Sequence, residues 1–291
     1  MSNVSQNVTG PTNAWARLLR RTTPPARVGV VLVVAYVFLA LLAPFVAPYD
    51  PAGTDLMQRL APPSWAGGTS AHLLGTDQLG RDVLSRLIFG SRIALLVSML
   101  GVCLAALVGV TLGLLAGYSG GWVDAIVMRL VDTLMSIPNI LLYLTALGVF
   151  GPSLITLCLV IGLVNWTTFA RVIRAEVLAV RQREYVEASR ALGQRTAPIL
   201  VRHILPNVVG QVLVVATLNI ASVIILEASL SFLGLGAQPP AVTWGRMLAE
   251  GRSYLASAWW LATFPGIAIT VLVLALIFVG DWLRDVFDPR T

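Results

Sequence analysis

Long apolar runs separated by short polar stretches set the plan of this chain. A first run covers residues 28–47 without a single charge, and a second covers 93–117. Helices of ~20 apolar residues cross a hydrocarbon core ~30 Å thick, so both runs read as membrane spans. The third run, 134–150, is less regular: Pro138 stands near its start, with Arg129 and Asp132 just before. Gly151-Pro152 reads as a tight turn into the fourth run, 152–170; the fifth covers 208–233 and the sixth 261–279. The pattern predicts an all-α membrane protein of six transmembrane helices with both termini on one side. The first run has the hydrophobicity of a signal peptide. However, 27 residues with four arginines precede it, and Pro44 and Pro48 crowd any cleavage point, so it reads as an uncleaved anchor.

The polar stretches divide the chain further. Residues 1–27 form a polar tail, and 48–92 a loop whose first half is rich in proline and glycine. Its second half, 82–93, places Val83, Leu87 and Ile88 on one helical face, predicting a short helix lying in the membrane interface. Residues 93–280 hold five spans and a polar island at 171–207; residues 281–291 form a second tail. The island carries seven arginines and three glutamates.

Composition agrees with the pattern. Hydrophobic residues make up 57% and charged residues 12%, outside the range of soluble domains. The formal charge is +6, and every basic residue is an arginine. With the N-terminus in the cytoplasm, the inside segments hold four, one, seven and two arginines, and the outside loops four and two. The outer loop also offsets its four with Asp50, Asp55, Asp77 and Asp82. The positive-inside rule thus places both termini and the island in the cytoplasm, facing anionic lipid rather than nucleic acid. Without lysine, the chain lacks the residue with which a P-loop reaches phosphates, so any ATP that drives it binds another subunit. Cys103 and Cys158 lie in apolar runs and read as small buried hydrophobes. His72 and His203 are isolated, so no metal site is expected, and no nucleophile–base set suggests catalysis.

The island reads as two helices. Gly193 suits the left-handed C′ position that ends the first, Pro198 suits the first turn of a second, and Pro206 can start or kink the fifth span. Helical spacing around Glu187 puts Tyr185, Ser189 and Leu192 on one face and Arg183, Glu187 and Arg190 on another. Ala188 and Ala191 lie between them, small enough for a partner to approach closely.

This stretch resembles the EAA loop of bacterial ABC-importer permeases: Glu-Ala-Ala, three residues, Gly, nine residues, Ile, one residue, Leu-Pro. Glu187, Ala188, Ser189, Gly193, Leu205 and Pro206 stand in those places. Ser189 replaces the second alanine, and His203 stands where the isoleucine belongs. The segments from Gly75 to Arg86 and from Leu226 to Gly236 are similar to stretches of the C-type oligopeptide/dipeptide permeases. The resemblance implies a type I importer permease (MetI-like) fold in the bacterial cytoplasmic membrane. It also implies a second, B-type permease, two ATPase domains that hold ATP and magnesium, and an extracytoplasmic peptide-binding protein as partners. The ATPase-coupling residues it implies are Arg183, Glu184, Tyr185, Glu187, Ala188, Ser189, Arg190, Leu192, Gly193 and Pro206. The same subfamily also serves nickel and other small solutes.

Within the spans, Glu227, Asn165, Asn219 and Ser222 are candidates for the pathway or its gate. The uncharged three suit equally the role of interhelical hydrogen-bond glue. Glu227 reads as pathway lining or as a structural or gating contact near the outer end. A secondary transporter or channel built on Glu227 is a reading from another class, but it leaves the EAA segment unexplained. Trp244, Trp259 and Trp260 fall near the outer boundary and Trp282 near the inner one, as an interfacial belt places them.

Overall fold

The computed structural model describes residues 23–287. The expectations for 1–22, and for the last residues of the second tail, lie outside that range. Eleven α-helices cover most of the described residues. The apolar runs become α1 (Pro24–Leu41) with the one-turn α2 (Ala43–Val46) after it, α3 (Val83–Ser119), α6 (Leu154–Val180), α9 (Leu205–Phe232) and α11 (Trp260–Phe287). The third run is broken: α4 (Gly121–Met135) and α5 (Asn139–Phe150) meet at 85° around Ser136–Pro138. Proline lacks the N–H that would continue the ladder and pushes its predecessor out of the helical region, so the bend falls at Pro138. Among the described residues, five helices, or six with the bent pair as one span, are long and apolar enough to cross a membrane.

The second span is longer than its apolar run. Residues 83–92, expected as a separate interfacial helix, are the first turns of α3, which continues unbroken for 37 residues. Asp82 caps it, accepting from the Ser85 backbone N–H at 2.7 Å. Along α3, Gly101, Ala105, Gly109, Gly113 and Gly117 recur every fourth residue, forming one buried stripe against α6. A Cβ at Gly113 would stand 2.8 Å from the Ala170 carbonyl oxygen, and one at Gly117 2.7 Å from Val177 Cβ. Small residues at this spacing let two helix backbones approach closely in lipid, where dispersion and packing rather than water exclusion hold helices together. Cys158 is buried beside this seam, but Cys103 is exposed on α3's other face, contrary to the sequence expectation.

Residues 48–82 fold over the N-terminal end of α3. Trp260 donates its indole N–H to the Thr76 carbonyl at 3.1 Å, and Trp244 donates to the Leu87 carbonyl at 2.9 Å. Both are 4% exposed. They pin the loop and the short helix α10 (Trp244–Gly251) onto the bundle instead of sitting in an interfacial belt; Trp259 is the exposed one of the three.

Candidate functional site

At the Ser119 end of α3 the polar island builds a protruding element. Helix α7 (Glu184–Ala191) is followed by a Schellman closure: Gly193 N–H bonds the Arg190 carbonyl and Gln194 N–H the Ser189 carbonyl. Gly193 has φ +77°, the left-handed value this closure needs, and open space around it. Val186 is α7's one buried residue, packed in a cluster with Tyr118, Val180 and Ile199. Most of what the sequence singled out on this helix is exposed. Arg183, Glu184, Tyr185, Glu187, Ala188 and Arg190 are exposed, Ser189 is half-buried, and Leu192 is 88% exposed. Among the described residues, Glu184, Glu187, Arg183, Arg195 and Arg202 form no ion pair, so their charges are free for a partner.

The remaining arginines of the island tie it down. Arg190 lies over the Tyr118 ring, 5.3 Å from its centroid. Arg181 donates to the carbonyls of Gly117 and Tyr118 at 2.9 and 3.3 Å, where the last turn of α3 leaves its acceptors unpaired. Arg174 forms a two-pronged pair with Asp124, and Arg171 reaches Asp132 at 2.8 Å, fastening α6 to α4. The second island helix is the short α8 (Thr196–Ile199), which runs through a π-helical turn, Leu200–Ile204, into α9. Pro206 falls in the first turn of α9, directly after the π-turn; lacking an N–H, it cannot continue the backbone ladder there. His203, the departure from the EAA pattern, lies in the π-turn with its ring 6.3 Å from that of Tyr185.

The intramembrane candidates do not converge on one cavity. Asn165 accepts from the Tyr143 hydroxyl at 3.0 Å, linking α6 to α5. Asn219 and Ser222 each donate to a carbonyl one turn back on α9. Glu227 is 2% exposed and accepts from the Ser231 hydroxyl at 2.6 Å.

A second polar cluster stands at the opposite end of α3. Asp77 pairs with Arg81 at 2.7 Å and with Arg86. Both arginines also reach Glu250 on α10, each at 3.0 Å. Gln78 and Arg246 donate to the same Glu250 carboxylate, each at 3.2 Å. Burial pushes the Glu250 carboxyl up, but the Arg86 charge, the Gln78 hydrogen bond and the Arg81 charge outweigh it and hold the group below its ordinary range. Beside this network, His72 Nδ1 and Asp82 Oδ1 lie 2.9 Å apart. Glu250 was not among the sequence candidates; its acidic position among arginines was the available signal, but it gains meaning only once the loop is seen to fold back.

Comparison with known proteins places this geometry. Residues 109–291 match the family described as binding-protein-dependent transport system inner membrane component. Residues 12–63 match the N-terminal transmembrane domain of oligopeptide transport permease C. The di/tripeptide transport system permease protein DppC of Pseudomonas aeruginosa is 43% identical, over 90% of this chain and 87% of that protein. The dipeptide transport system permease protein DppC of Haemophilus influenzae is 40% identical, over 91% and 90%. The DppC of Alkalihalophilus pseudofirmus is 38% identical, over 91% and 86%.

Proposed function

This chain belongs to the family of binding-protein-dependent transport system inner membrane components, and from that premise we propose that it is one transmembrane subunit of an ATP-driven importer of di- and oligopeptides. It is a multi-pass inner-membrane protein. In this reading it forms half of the translocation pathway beside a B-type permease. Two ATPase domains bind ATP and magnesium and dock on α7, and an extracytoplasmic binding protein delivers the peptide. The island and both termini face the cytoplasm, and the Asp77–Glu250 cluster faces outward.

One observation carries the coupling assignment. Helix α7 is anchored through one buried side chain, Val186, while unpaired Glu187 on one face and exposed Leu192 at its C-cap are left open. A partner groove that seats this face moves α7 as a body, and Arg190 and Arg181 pass that movement to the end of α3. Glu187→Arg reverses the charge offered to the partner, and Gly193→Val forces a branched side chain into a left-handed backbone. Both variants are expected to reach the membrane yet lose ATPase subunits on co-purification and ATP-driven uptake of dialanine. Retained docking and uptake in both would refute the assignment.

A further inference from the structure

Beside the outward cluster lies a cavity of about 330 Å³, at the lower edge of the ~300–1,000 Å³ typical of small-ligand sites. Its walls come from the end of α9 (Ser231, Phe232), the turn after it (Gly236, Gln238) and α10 (Arg246, Glu250). The walls are built, not incidental. The Gln238 side-chain amide donates to the carbonyls of Gly234 and Gly236 at 3.2 and 3.0 Å, folding the turn on itself. Gly236 is pressed so closely on Ser231 that a Cβ there would collide with its hydroxyl oxygen. That hydroxyl is committed to buried Glu227.

Two charged groups line the cavity, Arg246 and Glu250. Asp77, Arg81 and Arg86 belong to the same ionic network but not to the cavity lining. Arg81 and Arg86 are turned inward and each bonds both Asp77 and Glu250, while the buried Arg86 Nε has no hydrogen-bond partner among the described residues. Arg246 is different: its side chain is 36% exposed, and its Nε alone is engaged, by Glu250 at 3.2 Å. Its two terminal nitrogens have no hydrogen-bond partner among the described residues. A guanidinium held at Nε and open at its outer edge is a two-pronged donor for a planar anion.

We propose that this cavity is a subsite for the C-terminal carboxylate of a small peptide, with Arg246 as the residue that binds it and Glu250 as the residue that positions Arg246. The Phe232 ring, at the cavity wall, offers apolar surface to a peptide side chain. The inference rests on the peptide-import reading and adds to it a place where this subunit itself touches the cargo. An amidated peptide keeps the shape of the cargo and loses the charge that Arg246 pairs with.

The test uses the complete transporter in proteoliposomes, with Cys103→Ser and Cys158→Ala and a reporter, Ala249→Cys, in the cavity wall. Dialanine is expected to slow maleimide labelling of the reporter, and dialanine amide is not. Arg246→Gln should raise the dialanine concentration needed for half-protection by about tenfold or more, while Arg246→Lys retains part of it. Equal labelling with and without dialanine, or equal protection by the amide, overturns the subsite. Absence of ATP-driven dialanine uptake by the unaltered transporter overturns the import reading and the subsite with it; uptake without protection removes the subsite alone.

Discussion

Glu250 shows how much one carboxylate can organise. It receives donors from the loop (Gln78, Arg81), from α3 (Arg86) and from its own helix (Arg246), so its ionised form holds three segments together. Its folded-state pKa is depressed, so its stabilising contribution is present above the unfolded carboxyl value, ~4.3, and is lost as pH falls through the lower folded value. Hydrogen exchange of residues 75–82, corrected for intrinsic rates, is expected to accelerate on acidification below about pH 4. Glu250→Gln should loosen the segment already at neutral pH and shrink the difference between neutral and acid. Unchanged exchange in the variant would show that Glu250 holds nothing. The sequence could not reveal this hub, because Gln78 and Arg86 precede Glu250 by 172 and 164 positions. Counted locally, Asp77, Arg81 and Arg86 look like a loop that neutralises itself. The tryptophans misled for a related reason. An indole in an interfacial belt and an indole pinned to a buried carbonyl leave the same residue at the same hydropathy boundary, and only the partner distinguishes them.

Among the elements, the α3–α6 seam bears most directly on stability. Replacing Gly113 by Leu drives a side chain into the backbone of α6, where the Ala170 carbonyl cannot yield without moving the helix. Overpacking of this kind costs ~1–3 kcal/mol or more, and a thermal-shift measurement in detergent should show a lowered midpoint. Gly148→Ala on α5, where a Cβ meets nothing within 4 Å, serves as the control and should be neutral or slightly stabilising. The four-residue recurrence of small residues is visible in the sequence, but it does not say which helix answers it, and an apolar run looks the same on its packed and lipid-facing sides. Exposed Cys103 makes the same point from the other face. The backbone of the polar island was far more legible. A left-handed Gly193 and a Pro206 beside the π-turn act on their immediate neighbours, so spacing alone locates them. Pro138 likewise announced a disturbance, although the 85° angle depends on what the two halves pack against.

Taken whole, the molecule is organised around α3. Thirty-seven residues at ~1.5 Å each give a rod of about 55 Å, longer than a ~30 Å hydrocarbon core. One end carries Arg86 in the Glu250 cluster; the other carries Tyr118 beneath Arg190. If this rod transmits ATPase movement, Tyr118→Ala should leave ATPase subunits bound but cut peptide uptake by about tenfold or more, while Tyr118→Phe, which keeps the ring face, should behave like the parent. Equal uptake by all three would exclude Tyr118 from the transmission. Finally, the open face of α7 has a cost before assembly. A newly made copy shows water an 88%-exposed leucine and a helix with one buried side chain. Such a surface invites chaperones, proteases and self-association. If an ATPase subunit seats on this face as proposed, heterologous production should succeed best when both are synthesised together.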